Sequence, residues 1–146
     1  MKVKIKKLSE NAVVPKYAHD TDAGLDLVAT SIQWDEDGNF VYGTGLAFEI
    51  PKGYVGLIFP RSSNAKKELV LSNSVGVVDS GYRGEVTFKF KPTKEVNTSN
   101  PIIEIYDIGD RIGQLIILPY PKIEFEEADE LSKSERGEGG YGSTGK

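Results

Sequence analysis

Asn73-Ser-Val-Gly-Val-Val-Asp79-Ser-Gly-Tyr82-Arg-Gly-Glu-Val86 is the stretch on which the reading of this chain turns. Val75, Val77 and Val78 lead into the turn residues Asp79-Ser80-Gly81, and Val86 opens the next apolar run, so the segment predicts two short β-strands joined as a hairpin. The bend holds a carboxylate (Asp79), a flat aromatic (Tyr82) and a cation (Arg83), beside glycines that let a ligand approach the backbone. Asp-Ser-Gly is also a common turn sequence, and taken alone the segment equally fits a plain hairpin.

Downstream, Val86-Thr-Phe88-Lys-Phe90-Lys91 alternates strictly between apolar and polar residues, the pattern of a half-buried strand. Pro92 to Pro101 reads as a polar loop, and Ile102-Ile-Glu-Ile-Tyr106 as a strand. Asp107 to Pro119 contains one more strand, in which Gln114 is a polar residue inside an apolar run. A buried amide without a partner costs about 1–3 kcal/mol, so Gln114 is expected to meet backbone or ligand. Ile123-Glu-Phe125 is expected to close the sheet system.

Upstream, Leu46, Phe48 and Ile50 alternate with small or charged residues, and Tyr54 to Phe59 forms another strand, stopped by Pro60. Arg61-Ser62-Ser63 follows at once. A cation and two hydroxyls at a strand end suit phosphate oxygens, or cap a helical turn over Asn64 to Glu68. Asp20, Asp22 and Asp26 cluster before the strand at Leu25 and Leu27. Counted from Asp20, the sixth and twelfth positions are Leu25 and Ser31, which excludes an EF-hand loop and leaves solvated turn carboxylates or a water-mediated Mg²⁺ contact. Met1 to Leu8 alternates Lys with Val3 and Ile5, an amphipathic edge strand. With no convincing long helix, the fold class is all-β.

At 146 residues the chain suits one domain able to bury a core. It has no Cys, which excludes disulfides and thiolate chemistry, and its only histidine is His19, which excludes a His-rich metal site. Eighteen Lys and Arg against 22 Asp and Glu give a net charge of −4, which argues against direct nucleic-acid binding by bulk charge. No segment is apolar enough over sufficient length to span a membrane, and the expected place is the cytoplasm.

The last residues change character. Arg136-Gly-Glu-Gly-Gly-Tyr141-Gly-Ser-Thr-Gly-Lys146 holds five Gly in its first ten positions and little to bury, so a flexible segment over 132–146 is expected beyond a domain at 1–131. Gly140 to Lys146 fits Gly-x-x-x-x-Gly-Lys, yet no Ser or Thr follows to start the helix of a phosphate loop. Exposed amides, two hydroxyls and an Arg can still wrap phosphates, and Tyr141 offers a ring for a base to stack on.

Ala23-Gly-Leu-Asp-Leu27, Pro60-Arg-Ser-Ser63, Asn73 through Gly84, Gly109-Asp-Arg-Ile-Gly-Gln-Leu115 and Arg136 through Gly145 occur in one order, and together they resemble the trimeric dUTP pyrophosphatase (dUTPase) family over nearly the whole chain. The resemblance implies a jelly-roll-like β-barrel that forms a homotrimer, with active sites at subunit interfaces and the tail closing over substrate. It implies Mg²⁺-assisted hydrolysis of dUTP to dUMP and pyrophosphate, which limits uracil in DNA and supplies dUMP for dTMP synthesis. Asp79 becomes the base that activates a water for attack on the α-phosphate. Tyr82 packs against the deoxyribose, and Asn73 with the backbone of Gly76, Val77 and Val78 reads uracil. Arg61, Ser62, Ser63 and Gln114 hold phosphates; Arg136, Gly142, Ser143 and Thr144 clamp their far end, and Tyr141 stacks on the base. Asp26 meets Mg²⁺ through water. Asn64 stands where an apolar residue is more usual, so the turn after Ser63 is expected to pack differently.

The nearest alternative is dCTP deaminase or a bifunctional relative of the same fold. Its catalytic Glu falls at Lys89, which cannot do that work. A nucleotide-sensing regulatory or binding protein that keeps the site but acts through a partner is a further alternative, although Asp79 and Arg136 are both retained.

Overall fold

The computed structural model describes residues 1–94 and 103–140. It contains ten strands: β1 (Lys4–Lys7), β2 (Leu25–Val28), β3 (Ser31–Trp34), β4 (Phe40–Gly43), β5 (Leu46–Glu49), β6 (Tyr54–Phe59), β7 (Leu69–Leu71), β8 (Gly76–Val78), β9 (Thr87–Pro92) and β10 (Arg111–Pro119). The one helical element among the described residues is a 3-10 turn, Ser62–Lys66.

One four-stranded sheet runs β2-β10-β6-β8, a second runs β3-β4-β9-β7, and β1 pairs with β5 in a separate ribbon. All pairings are antiparallel. The alternation read in β9 is obeyed: Phe88 and Phe90 are fully buried, whereas Lys89 and Lys91 face solvent. A single apolar cluster draws Leu27, Ile58, Val78, Ile112 and Leu115 from the first sheet and Tyr42, Leu69, Leu71, Phe88 and Phe90 from the second. The sheets pack tightly at Gly113, where a Cβ would stand 2.1 Å from the Phe88 ring. Only a residue without a side chain fits there.

The all-β reading is therefore correct, but the described strands form open sheets and do not close into the expected barrel. The hairpin reading of 73–86 is also corrected. β8 pairs with β6, while β9 pairs with β4 and β7, so residues 79–86 cross from one sheet to the other. The crossing is anchored at Val86, whose N–H donates to the Leu46 carbonyl (2.9 Å) and whose carbonyl accepts from the Thr44 hydroxyl (2.6 Å). Strand alternation reports which face a residue takes, not which strand lies beside it.

Two expected strands are absent among the described residues. Ile102 lies outside the described residues, and residues 103–106 form no ladder because their backbone is held otherwise. The Glu104 carbonyl accepts from Glu68 N–H (3.1 Å), and the Tyr106 N–H and carbonyl are both bonded to the Tyr42 hydroxyl (3.2 and 3.0 Å). Ile123 and Phe125 are 67% and 92% exposed and join no sheet, since no described strand lies beside them. The helical turn begins at Ser62, two residues before its expected start. Met1–Leu8 supplies an edge strand as read, and β3, β4 and β7 were not anticipated.

Candidate active site

Asn73, Gly76, Val77, Val78, Asp79 and Tyr82 line one cavity of about 200 Å³, together with Ile58, Glu85, Val86 and Thr87. Its floor is set by β8. Among the described strands it is the edge of its sheet: one side is paired to β6, which leaves the other side's amides and carbonyls available to a ligand.

The residues leading into β8 are held in an uncommon backbone. Ser74 has φ of 61°, the one positive value at a non-glycine residue among those described, in the left-handed region that costs roughly 1–2 kcal/mol. Hydrogen bonds hold it there, from Ser74 N–H to the Leu71 carbonyl (3.0 Å) and from Val75 N–H to the Asn73 carbonyl (2.6 Å). From below, the Ser72 hydroxyl donates to Asn39 Oδ1 (2.7 Å), and Asn39 is buried and donates to Asp35.

Beyond β8 the Asp79 carbonyl accepts from Tyr82 N–H (3.0 Å), closing the turn that carries the carboxylate. The Tyr82 hydroxyl donates to the Glu85 carbonyl (2.9 Å). The ring lies so close to Gly84 that a Cβ there would come within 2.4 Å of the phenol oxygen. Arg83 donates to the Ser80 and Tyr82 carbonyls (2.7 and 2.8 Å) and so pins its own turn.

The expected phosphate residues gather elsewhere on the chain. Asp26 and Gln114 line a second cavity of about 340 Å³ with Ala18, Asp22, Ala23, Gly24 and Ile116. It shares no lining residue with the first. Gln114 finds the backbone partner expected of it: Nε2 donates to the Pro60 carbonyl at 3.3 Å. Arg61 Nε donates to Asp26 Oδ1 (2.9 Å), Arg61 NH1 to Ser63 Oγ (3.2 Å) and Arg111 NH1 to Asp26 Oδ2 (3.0 Å). Two guanidiniums thus bracket the Asp26 carboxylate beside the cavity that Asp22 also lines, and they supply the kind of N–H donors that bind phosphate oxygens. Ser62 is exposed at the start of the 3-10 turn, which has no side-chain cap. Arg136 donates to Gly139 (2.8 Å) within a local turn, and its bonds reach neither cavity. Tyr141, Gly142, Ser143 and Thr144 lie outside the described residues.

Sequence reading missed Arg111 and Glu85. Arg111 stands at the first position of β10, inside the Gly-Asp-Arg segment, and its place at Asp26 follows from the pairing of β10 with β2. Glu85 lines the first cavity and accepts from Gly45 N–H (2.6 Å); its role as a bridge to another turn had no signal in the sequence. Lys89 pairs with Asp35 at 2.9 Å on the outer face of β9, away from both cavities.

A dUTPase family model matches residues 10–145. The deoxyuridine 5'-triphosphate nucleotidohydrolase of Nautilia profundicola is 43% identical over 148 residues, covering 100% of both chains. That of Corynebacterium glutamicum is 40% identical over 99% of this chain and 95% of its own. Among solved structures, a mutant dUTPase of Staphylococcus bacteriophage 80alpha with dUpNHpp superposes with a TM-score of 0.83 at 31% identity, over 99% of this chain and 98% of that one. A mutant dUTPase of phage phi11 of S. aureus, described as coordinating a structural Mg(II) ion, gives 0.74 at 28% identity, over 90% and 99%. Both cavities lie wholly within the matched segment, and the relatives align end to end, so the chain belongs to the dUTPase family.

Proposed function

We propose that this chain hydrolyses dUTP to dUMP and pyrophosphate, with the Asn73–Tyr82 cavity taking the nucleoside and the Asp26–Arg61–Gln114 ledge taking phosphates. The observation that carries the reading is the gathering of Asn73, Gly76, Val77, Val78, Asp79 and Tyr82 around one cavity on a strand edge. Uracil presents a donor at N3 between two carbonyl acceptors, a pattern that an unpaired strand edge and an Asn amide can match. A wrong base, once seated against them, leaves those groups covered and unpaired, which is how hydrogen-bonded sites discriminate strongly. The Tyr82 ring, held over Gly84, packs against the deoxyribose and takes the room of a 2′-hydroxyl.

Asp79 accepts the proton of a water aimed at the α-phosphate, while Arg61, Ser62, Ser63 and Gln114 hold the phosphate oxygens in line. Positioning and charge stabilisation supply most of the acceleration in such a displacement. Arg136, Gly142, Ser143 and Thr144 reach the far phosphates, and Tyr141 covers the base. Since the two cavities of one chain share no residue, the reading joins nucleoside and phosphate sides from neighbouring subunits of a homotrimer.

The donor set bears on the metal. Asp26 already accepts from two arginines, and among the described residues no three acidic or His side chains converge. This fits a Mg²⁺ that arrives on the triphosphate and is met through water by Asp26, not one caged by protein. When bound, it neutralises phosphate charge. The cytoplasm remains the proposed place; no helix among the described residues is long and apolar enough to cross a membrane.

Deamination of dCTP is disfavoured by Lys89, whose partner is Asp35 and which offers no carboxylate. The test incubates the protein with Mg²⁺ and, separately, dUTP, dCTP, dTTP and UTP. Pyrophosphate and dUMP from dUTP alone is the expected result; deamination of dCTP, or equal turnover of UTP, overturns it.

A further inference from the structure

We infer that the hydrogen bond between Tyr106 and Asn64 sets how firmly the Arg61-Ser62-Ser63 turn grips a polyphosphate, making Tyr106 and Asn64 positioning residues. The inference rests on the reading of that turn as the phosphate ledge.

The turn cannot be held by packing. Ser62–Lys66 is a single 3-10 element with no buried residue and no side-chain cap. Polar contacts must hold it, and they converge on its third residue. Asn64 N–H donates to the Arg61 carbonyl (2.9 Å), Asn64 Nδ2 to the Leu69 carbonyl (2.8 Å), and the Tyr106 hydroxyl donates to Asn64 Oδ1 (3.0 Å). Both ends of the amide are thereby used, the arrangement that fixes an Asn side chain in one orientation.

The other end of the contact is rigid. Tyr106 is 3% exposed, and its ring packs against Tyr42 and Phe90 at centroid distances of 6.1 and 5.6 Å. Its own N–H and carbonyl are bonded to the Tyr42 hydroxyl. Lys67, just past the turn, donates to the Ile105 carbonyl (2.8 Å) and lies over the Tyr106 ring (5.4 Å). The core therefore reaches outward to this surface turn through the Tyr106 phenol oxygen and the Leu69 carbonyl, both of which meet the Asn64 amide. Burial pushes the Tyr106 phenol above its ordinary range, which keeps it a hydrogen-bond donor.

Arg61 alone does not make this anchor redundant. Its guanidinium is oriented by Asp26 and Ser63 Oγ, but those bonds leave the backbone of Ser62 and Ser63 undirected. Ser63 immediately precedes Asn64, so freedom at Asn64 is freedom at the hydroxyls that meet phosphate.

The test compares Tyr106→Phe, Asn64→Leu and the double variant against the unaltered protein, measuring affinity for dUpNHpp and inhibition by dUMP, which lacks the outer phosphates. Each single variant is expected to weaken dUpNHpp roughly tenfold, the loss of about one hydrogen bond and the orphaning of its partner, with dUMP changed less than about twofold. The double variant is expected to weaken dUpNHpp no further than Asn64→Leu alone, because both substitutions remove the same Tyr106–Asn64 contact and Asn64→Leu has already lost the bond to the Leu69 carbonyl. Unchanged dUpNHpp affinity in Tyr106→Phe, or equal weakening of dUMP, or a lower melting temperature with both affinities intact, overturns the inference. If Asn64→Leu does not fold, Tyr106→Phe decides alone, since it removes one atom from a packed ring. Failure of the unaltered protein to bind either nucleotide instead refutes the nucleotide reading itself.

Discussion

The two cavities are built in opposite ways. The proposed nucleoside side comes from one run of chain, Asn73 to Thr87, with Ile58 as its only outside lining residue. The proposed phosphate side is dispersed: its cavity is lined from residues 18–26 and by Gln114 and Ile116, and Arg61 and Arg111 join it through their bonds to Asp26. A contiguous site inherits its geometry from local backbone; a dispersed one depends on the fold and on contacts such as Tyr106 to Asn64. Chemistry should therefore fail sharply when the first is altered and by degrees when the second is.

The largest break is at Asp79. Asp79→Asn keeps the shape of the cavity and removes the proposed base, so kcat is expected to fall roughly 10³-fold or more while dUpNHpp binding changes little. Turnover within a few-fold of the unaltered protein sinks the assigned role. Removal of the chain after Glu135 comes next. Among the described residues Arg136 bonds only within its own turn, so the fold should survive, and kcat/KM for dUTP is expected to fall by about 10², the order of one transition-state clamp. Full activity after truncation refutes the lid.

Selectivity should yield more modestly. Gly84→Ala drives a methyl into the Tyr82 ring, and Tyr82→Ala removes the ring, so both are expected to raise UTP turnover relative to dUTP by about 10- to 100-fold. An unchanged UTP to dUTP ratio in both means that the sugar is read elsewhere. Gly113→Ala acts on neither cavity directly. It sets a methyl against Phe88 between the sheets and should lower stability by about 1–3 kcal/mol in denaturant melts, affecting both sides alike.

The same contrast explains what was legible in the sequence. Asp79 and Tyr82 could be read because turn residues, a carboxylate and a ring stood together within one bend. Alternation predicted the faces of β9 correctly, yet the partner of β8 was misassigned, because period two is blind to which sheet a strand joins. Residues 103–106 are apolar enough to be read as strand; the Tyr42 hydroxyl that occupies the backbone of Tyr106 is more than sixty positions away and invisible locally. Asn64 was recognisable as an oddity, but its partner Tyr106 lay in a different predicted element. Arg111 was passed over because its relation to Asp26 exists only through the pairing of β10 with β2.

The smallest expected effect reaches the nucleoside side from outside. Asp35 is held at about 2, below its ordinary 3.8, first by the Asn39 amide and then by the Lys89 ammonium. Asn39 in turn supports Ser72, next to Asn73. A carboxyl whose folded value is depressed binds fewer protons folded than unfolded between the two values, so its stabilisation is present above 3.8 and is lost as pH falls towards 2. Asp35→Asn should therefore melt lower than the unaltered protein near neutrality, and the gap should narrow through that acid window. A gap that stays constant to pH 2 means the Asp35 charge contributes nothing, and that Asn39 is held by shape alone.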